Sequence, residues 1–147
     1  MKAVVQRVDS ASVDVGGERI ASIGRGLLVL AAVAADDAER DREWMAEKLV
    51  HLRVFTDDAG KMNLSVLDVG GEMLLVPNFT VAGETGKGRR PAFDRAMKPP
   101  RAQSEFDALV GSVRARGVPA QTGAFGAHMH VSLVNHGPVT LIVDSRG

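Results

Sequence analysis

The sequence predicts a mixed α/β fold. One domain, residues 1–147, carries a curved antiparallel or mixed β-sheet, or a partly open barrel, with two main helices packed on it. Two observations predict this class. Short strand patterns with hairpin-like turns fill most of the chain, and only two segments show helical periodicity. The hydrophobic content of 45% and the charged content of 24% are typical of a globular domain, and the chain has no internal repeat or linker.

Strands are predicted along the first part of the chain. Met1 to Val8 mixes valine with polar residues, and Ala11 to Val15 alternates with period two. Gly16-Gly17 follows as a hairpin signal, so that Glu18 to Ile23 is expected as the return strand. The run from Leu27 to Val33 is apolar at every position, which predicts a central strand buried on both faces.

Apolar spacing predicts two helices. Asp36-Asp37 is expected to open the first, because carboxylates favour the positive end of the helix dipole. Trp44 and Met45 are expected to pack into the core from this helix. The second helix is marked at positions i, i+3, i+4 and i+7 by Phe106, Leu109, Val110 and Val113. Gly117 is placed to end it in a left-handed conformation.

The remaining strands enclose two segments of unusual composition. Met73 to Val76 is a strand that leads into a glycine- and proline-rich basic loop over residues 82–101. Met129 to Leu133 and Val139 to Val143 are predicted as two last strands, separated by a turn at Asn135-His136-Gly137-Pro138. Proline is unusual between two strands, because it has no backbone N–H to donate to a neighbouring strand.

Composition bounds the partners and the compartment. The 18 Lys and Arg residues balance 18 Asp and Glu residues, which excludes long-range attraction of the whole molecule to nucleic acid or an anionic membrane. The chain has no cysteine, so disulfides, thiolate zinc sites and cysteine nucleophiles are excluded. The longest apolar run, Leu27 to Ala35, is far shorter than the roughly 20 residues of a membrane helix. We expect a cytoplasmic protein with neither a membrane nor DNA as a partner.

The basic loop is a candidate binding feature. Residues 87–101 include six cations and one acid, and guanidinium groups on a glycine-rich loop suit phosphate oxygens. A solvated loop that keeps the protein soluble fits the same residues. The run Gly83 to Gly88 resembles a phosphate loop, but Val81 and Gly88 stand where the Walker pattern needs Gly and Ser or Thr. We therefore do not predict nucleoside triphosphate hydrolysis.

Few side chains suggest catalysis directly. The chain has no Gly-x-Ser-x-Gly elbow, which argues against an α/β-hydrolase triad. Thr80 lies between a strand end and the basic loop, where its hydroxyl could bind substrate, attack it, or only end the strand. His128 and His130 alternate on a strand and share one face, but no third ligand accompanies them. We expect no metal and no cofactor.

A set of short motifs occurs in order along the chain: Gln6-Arg7-Val8, Ala11-Ser12-Val13, Gly26-Leu27-Leu28-Val29-Leu30, Lys61-Met62-Asn63-Leu64-Ser65-Val66, Asp68-Val69-Gly70-Gly71-Glu72, Lys87-Gly88-Arg89-Arg90-Pro91, Thr122-Gly123-x-Phe125-Gly126-Ala127 and Asn135-x-Gly137-Pro138-Val139-Thr140. Together they resemble the D-aminoacyl-tRNA deacylase (D-Tyr-tRNA(Tyr) deacylase) family over essentially the whole chain. The last motif is the most specific.

The resemblance implies a homodimeric hydrolase that cleaves the ester bond of D-aminoacyl-tRNA and releases free D-amino acid and tRNA. In the family the Gly-Pro bond is cis and enters the partner subunit's active site, where its backbone carbonyls exclude an L side chain. Here the matching residues are Gly137 and Pro138, and Arg7 matches the arginine that holds them. Glycine has no side chain to exclude, so glycyl-tRNA, including glycine mischarged on tRNA(Ala), is an expected second substrate.

The second motif of the family, Ser-Gln-Phe-Thr-Leu, stands here as Pro77-Asn78-Phe79-Thr80-Val81. Pro77 removes a hydroxyl and a backbone N–H, which leaves the strictness towards L-substrates open. The resemblance implies these site residues: Thr80 and Phe79 as catalytic; Gly137, Pro138, Arg7, Asn78 and Phe125 for substrate binding and chiral selection; Lys87, Arg89 and Arg90 for tRNA binding.

Two catalytic routes are open for an activated ester. Thr80 acts as nucleophile or donor, or the 2′-hydroxyl of the tRNA activates water while backbone N–H groups stabilise the oxyanion. We favour the second, because no base is evident beside Thr80. The rival functions are a non-catalytic RNA-binding module that uses the loop 87–101, and a metal hydrolase built on His128 and His130.

Overall fold

The structure is a computed structural model that describes all residues from 1 to 147. Its elements are, in chain order, β1 Lys2–Val15, β2 Glu18–Ile23, β3 Gly26–Ala32, α1 Glu39–His51, β4 Phe55–Thr56, β5 Met62–Leu64, β6 Glu72–Pro77, a 3-10 turn Phe79–Ala82, α2 Arg101–Ala115, β7 Ala120–Thr122 and β8 His130–Asp144. Neither helix is long and apolar enough to cross a membrane.

The main sheet is mixed, as predicted. β1 pairs antiparallel with β2, β3 and β8, whereas β3 pairs parallel with β6 and β6 pairs parallel with β7. A parallel pair needs a long crossover connection, and α1 and α2 lie in the two crossovers. The strand order β2-β1-β3-β6-β7 follows from these pairings.

The two edges of this sheet are joined by a side chain. The backbone N–H of Ser22 on β2 donates to Oε1 of Gln121 on β7 at 2.9 Å, and Nε2 of Gln121 donates to the Ser22 carbonyl at 2.7 Å. One amide side chain thereby makes the two hydrogen bonds that a neighbouring strand would make. The sheet is a nearly closed barrel, in agreement with the predicted class.

Two apolar cores lie on opposite faces of the sheet. The larger has 25 buried residues and joins both helices to the sheet, and the smaller has 8 buried residues inside the barrel. Leu27 and Val29 belong to the larger core and Leu28 to the smaller, each with 0% of its surface exposed. The prediction that β3 is buried on both faces is confirmed.

The prediction that Asp36-Asp37 opens the first helix was wrong. The helix begins at Glu39, and the buried Asp37 accepts a hydrogen bond from the Ala34 N–H at 2.7 Å instead. Asp41, in the first turn, accepts from the Ala38 N–H at 2.9 Å and so satisfies the start of the helix.

The expected core position of Trp44 was also wrong, whereas that of Met45 is confirmed. Trp44 is 40% exposed, and the Lys48 ammonium lies 5.2 Å from its ring centroid. Met45 is completely buried. The buried face of this helix continues from Met45 to Ala46, Leu49 and Val50, and Trp44, about 100° from Met45 in the opposite direction, points away from it.

The C-terminal part of the chain forms one strand rather than two. β8 runs unbroken from His130 to Asp144 and pairs with β1 on both sides of residues 136–139, where the register shifts between Gln6 and Ser10. The predicted turn at residues 135–138 is therefore an irregular segment inside a continuous strand. β1 is likewise continuous where two segments were predicted.

The basic loop and the second helix agree with the sequence. Residues between the 3-10 turn and Arg101 form no regular element apart from isolated bridges, one of which pairs Glu84 with Ala92. α2 then runs to Ala115, and Gly117 follows with a φ of +94°. The short strands β4, β5 and β7 were not predicted.

Candidate active site

Two cavities meet at the segment that follows β6. The first has a volume of about 300 Å³ and lies on the side of the sheet that the helices cover, where Phe106 lines it. The second has a volume of about 540 Å³ and lies towards the inner face of the barrel, where Leu28 lines it. Four residues line both cavities: Pro77, Asn78, Phe79 and Gly126.

The 3-10 turn presents Phe79 and Asn78 to these cavities. The Asn78 N–H donates to the Ala31 carbonyl at 2.8 Å, which fixes the start of the turn at the end of β3. Phe79 is 58% exposed, and its ring meets the edge of Phe93 at 5.2 Å between centroids. An aromatic side chain this exposed next to a cavity is available to a ligand.

The hydroxyl of Thr80 lies beside an amide, without a base. Its Oγ1 donates to Oδ1 of Asn78 at 2.5 Å. An amide oxygen accepts a hydrogen bond but does not take up a proton, so it cannot activate Thr80 as a nucleophile. The first bond within the turn is from the Val81 N–H to the Asn78 carbonyl at 3.2 Å, so the N–H groups of Phe79 and Thr80 have no partner within it.

Phe125 joins this group from the loop after β7. It lines the first cavity with Asn78 and Phe79, and it packs against the larger core. The Gly123 N–H donates to the Leu75 carbonyl at 2.9 Å and holds the loop against β6. The structure therefore brings together Asn78 and Phe125, predicted for substrate binding, with Phe79, predicted as catalytic. Thr80 follows Phe79 in the turn but lines neither cavity.

Gly137 and Pro138 lie elsewhere, with Arg7. The peptide bond between them is cis. Arg7 donates from Nε to the His136 carbonyl at 2.8 Å and from Nη1 to the Val54 carbonyl at 2.7 Å. Arg7, Gly137 and Pro138 line neither cavity. Within one chain, the predicted site is thus divided into two separate groups.

Asn135 explains why the last motif has its spacing. Its Oδ1 accepts from the Val139 N–H at 2.8 Å, and its Nδ2 lies 3.1 Å from the Val139 carbonyl and from Thr140 Oγ1. Gly137 has a φ of +147°, and a Cβ there would lie 2.8 Å from the Val139 nitrogen. The predicted site residues omit Asn135, although its place in the motif was the signal for it.

The basic loop is exposed and has cations without acidic partners. Glu84 and Ala92 pair through two backbone hydrogen bonds of 2.8 and 2.9 Å, which shape the loop between them. Arg95 forms an ion pair with Glu84 at 3.0 Å. The three predicted tRNA-binding cations form no ion pair and are fully on the surface: Lys87, Arg89 and Arg90.

The second half of the loop contributes cavity residues that the sequence did not indicate. The Met97 N–H donates to the Val33 carbonyl at 2.9 Å, so this segment extends the sheet beside β3. It lines the first cavity with Ala96, Met97, Lys98 and Pro99. The signal available in the sequence was the apolar pair Ala96-Met97 inside a polar loop, and both residues are buried in the structure.

The two histidines that share a face are exposed. The ring centroids of His128 and His130 are 5.3 Å apart, and His128 lines the second cavity. No group of three or more His, Cys, Asp or Glu side chains comes together as a metal-binding cluster.

Residues 4–144 match the family model described as D-Tyr-tRNA(Tyr) deacylase. The chain belongs to this family. The predicted family and its enzyme class, a hydrolase of ester bonds, are confirmed.

Relatives of this deacylase cover almost the whole chain. One from Thermodesulfovibrio yellowstonii is 48% identical over 146 residues, which are 99% of this chain and 100% of the relative. One from Geobacter sulfurreducens is 53% identical and covers 99% and 96%. Both relatives are named D-aminoacyl-tRNA deacylase.

Two solved structures have the same fold as this deacylase. One is described as the c-Myc DNA Unwinding Element Binding Protein, with 41% identity, a TM-score of 0.94 and 98% of each chain covered. The other is described as a probable eukaryotic D-amino acid tRNA deacylase, with 20% identity, a TM-score of 0.81 and 97% and 98% covered. The second likeness concerns the fold alone.

Proposed function

We propose that the chain hydrolyses the ester between a D-amino acid and the terminal adenosine of tRNA, and that it also deacylates glycyl-tRNA, including glycine mischarged on tRNA(Ala). One observation carries the proposal. In a chain of the deacylase family, Asn78 and Phe79 line two adjoining cavities, and the turn that they begin has backbone N–H groups, those of Phe79 and Thr80, without a partner within it.

The active site is composite and forms in a homodimer. Gly137 and Pro138 are exposed and lie outside the cavities of their own chain, so a partner subunit's cavity is the place where they can meet substrate. Three large apolar side chains on β8 favour such a partner, with 53%, 40% and 71% of their surface exposed: Val134, Leu141 and Ile142.

Discrimination works by exclusion. Arg7 holds the His136 carbonyl, and Asn135 holds both backbone groups of Val139, so the segment between them has little freedom to yield. A rigid backbone in the place that an L side chain would need rejects it by steric clash. A D side chain points the other way, and glycine has none, so both are accepted.

Catalysis uses the backbone and the substrate. The 2′-hydroxyl of the terminal ribose activates water, and the N–H groups of Phe79 and Thr80 stabilise the oxyanion of the tetrahedral intermediate. The Thr80 hydroxyl positions the turn through its bond to Asn78. Neither a metal nor a cofactor takes part, so activity should be complete after dialysis against a chelator.

The substitution Thr80→Ala tests this assignment. We expect the rate at saturating substrate to fall by less than about tenfold, because the oxyanion donors are backbone groups. Loss of a true nucleophile costs on the order of 10⁴-fold or more. Single-turnover deacylation of D-Tyr-tRNA measures the difference, and a rate near background for the variant would assign Thr80 as the nucleophile.

The function itself is tested by incubating the protein with D-Tyr-tRNA, L-Tyr-tRNA and Gly-tRNA in parallel. We expect rapid loss of the D-tyrosyl and glycyl esters and persistence of the L-tyrosyl ester. Equal, slow loss of all three would contradict the proposal. Binding of tRNA without any deacylation would instead support the rival reading, an RNA-binding module that uses the loop 87–101.

The partners follow from the charges. The phosphates near the acceptor end of the tRNA are bound by Lys87, Arg89 and Arg90. The chain as a whole has no net charge and so adds no long-range attraction to the tRNA. We propose a cytoplasmic enzyme that has neither DNA nor a membrane as a partner. A DNA arm in the binding experiment, with an unwound duplex as probe, tests this directly, and tight binding there would overturn it.

A further inference from the structure

We infer that His128 and His130 chelate a late transition-metal ion such as Ni²⁺ or Zn²⁺ at the edge of the second cavity. The two residues flank Met129 where the chain enters β8. Their ring centroids are 5.3 Å apart and the ring planes are at 84°. Zinc binds imidazole nitrogen at about 2.1 Å, so two rings this close can share one ion.

Both imidazoles are free to bind. His128 and His130 are exposed, and neither forms an ion pair with a carboxylate. Each of the other two histidines lies beside a carboxylate: His51 is 3.4 Å from Glu47, and His136 is 2.9 Å from Asp9. Imidazole is the ligand that Ni²⁺, Cu²⁺ and Zn²⁺ prefer, whereas Mg²⁺ and Ca²⁺ take oxygen ligands.

The site is open rather than structural. With no third protein ligand in reach, water completes the coordination of the ion. Since His128 also lines the cavity that Asn78 and Phe79 line, a bound ion narrows the space offered to a ligand there. The ion therefore acts as an inhibitor and has no part in the hydrolysis.

Calorimetric titration of the chelator-treated protein, without tRNA, tests the site. We expect Ni²⁺ and Zn²⁺ to bind at one ion per chain, and Mg²⁺ not to bind. His128→Ala and His130→Ala should each weaken binding at least about tenfold, because each removes one of two ligands. His51→Ala, at another exposed histidine, should leave the affinity unchanged. The absence of saturable Ni²⁺ binding, or equal affinity in the variants, would overturn the site.

A second measurement rests on the proposed function. Ni²⁺ should lower deacylation by the parent protein and should need at least about a tenfold higher concentration to inhibit His130→Ala, whose substituted residue does not line the cavity. Equal inhibition of both proteins would overturn the placement of the ion. Because the titration needs no tRNA, a failure of the deacylase proposal and a failure of the metal site are recognised separately.

Discussion

At the scale of single residues, Arg7 joins three parts of the fold. From β1 it donates to the His136 carbonyl within β8 and to the Val54 carbonyl ahead of β4. Arginine can do this because its planar head carries several donors in fixed directions, whereas a lysine ammonium is a single point charge. The position of Gly137-Pro138 therefore depends on the guanidinium group and not only on a positive charge.

Arg7→Lys should impair function more than stability. We expect deacylation of D-Tyr-tRNA to fall about tenfold or more, and its preference over L-Tyr-tRNA to shrink, because one of the two carbonyls loses its donor. Arg19→Lys, at an exposed ion pair with Asp14, is the matched control and should change neither. Parent-like activity and selectivity in Arg7→Lys would refute this role.

Asp41 should make the free energy of unfolding depend on pH. A hydrogen bond from the Ala38 N–H, opposed by desolvation and aided by Ser145 and Arg146, lowers the pKa of Asp41 from 3.8 to about 2. A lowered pKa stabilises the folded state above the unfolded value, and the stabilisation is lost as the pH falls from about 4 towards 2.

We expect Asp41→Asn to lower the free energy of unfolding by roughly 2 kcal/mol at pH 7, since one pKa unit corresponds to about 1.4 kcal/mol. The difference from the parent should shrink as the pH falls to about 2. Urea unfolding at several pH values measures it, with Asp107→Asn on the exposed side of α2 as the control. A difference that stays constant with pH would contradict the assignment.

At the scale of elements, the barrel is closed by a side chain. β2 and β7 are the two ends of the sheet order and share no backbone ladder, and Gln121 makes both hydrogen bonds to Ser22 between them. Closure of this kind depends on a group that both donates and accepts, which an amide does and a carboxylate does not. The contact therefore depends on the donor and the acceptor of the Gln121 amide more than on the size of the side chain.

Gln121→Glu should weaken the closure. The new carboxylate keeps an acceptor for the Ser22 N–H but faces the Ser22 carbonyl without a donor, and we expect the loss of this exposed hydrogen bond to cost about 0.5–1.5 kcal/mol in the free energy of unfolding. Hydrogen exchange at Ser22 should quicken at the same time. Gln103→Glu, exposed near the start of α2, should be close to neutral. Unchanged stability in Gln121→Glu would show that packing alone closes the barrel.

At the scale of the whole molecule, zero net charge hides an uneven distribution. Much of the negative charge on α1 is already paired, with Glu43 and Glu47 bound to Arg116 from the other helix. Five of the six cations of the basic loop have no such partner, and three of them are the predicted tRNA-binding residues Lys87, Arg89 and Arg90; the other two are Lys98 and Arg101. The molecule therefore offers tRNA a small number of phosphate contacts, which suits brief binding and release.

The salt dependence of tRNA binding measures that number. Each contact to single-stranded RNA contributes a slope of about −0.7 in log K against log salt, so three contacts predict a slope of about −2. Arg89→Ala should reduce the slope by about 0.7, whereas Arg95→Ala, which removes a cation already paired with Glu84, should change it little. A slope steeper than about −4 would mean that tRNA uses a larger surface.

Most of the fold was predictable because the local hydrophobic patterns of the sequence agree with the burial of the same residues in the structure. Three sequence patterns match the burial seen in the structure: the alternation in β1 and β2, the apolar run in β3 that is buried on both faces, and the apolar stripe of α2. The failures were of other kinds. The carboxylates at residues 36–37 resemble a helix start, but Asp37 accepts from the Ala34 N–H and Asp36 pairs with Arg146. Gly137-Pro138 resembles a turn, although Asn135 replaces the missing ladder bonds inside a strand.

The sequence by itself determined the family and the α/β class, and it supplied most of the candidate site residues, because these are carried by residue types at fixed spacing. Only the tertiary structure decided which of those residues meet. It places Asn78, Phe79 and Phe125 at one cavity and gathers Arg7 with Gly137-Pro138 elsewhere. The physical reason is that β1 pairs with β3 and β8 at once, and such long-range contacts leave no periodic trace in the sequence.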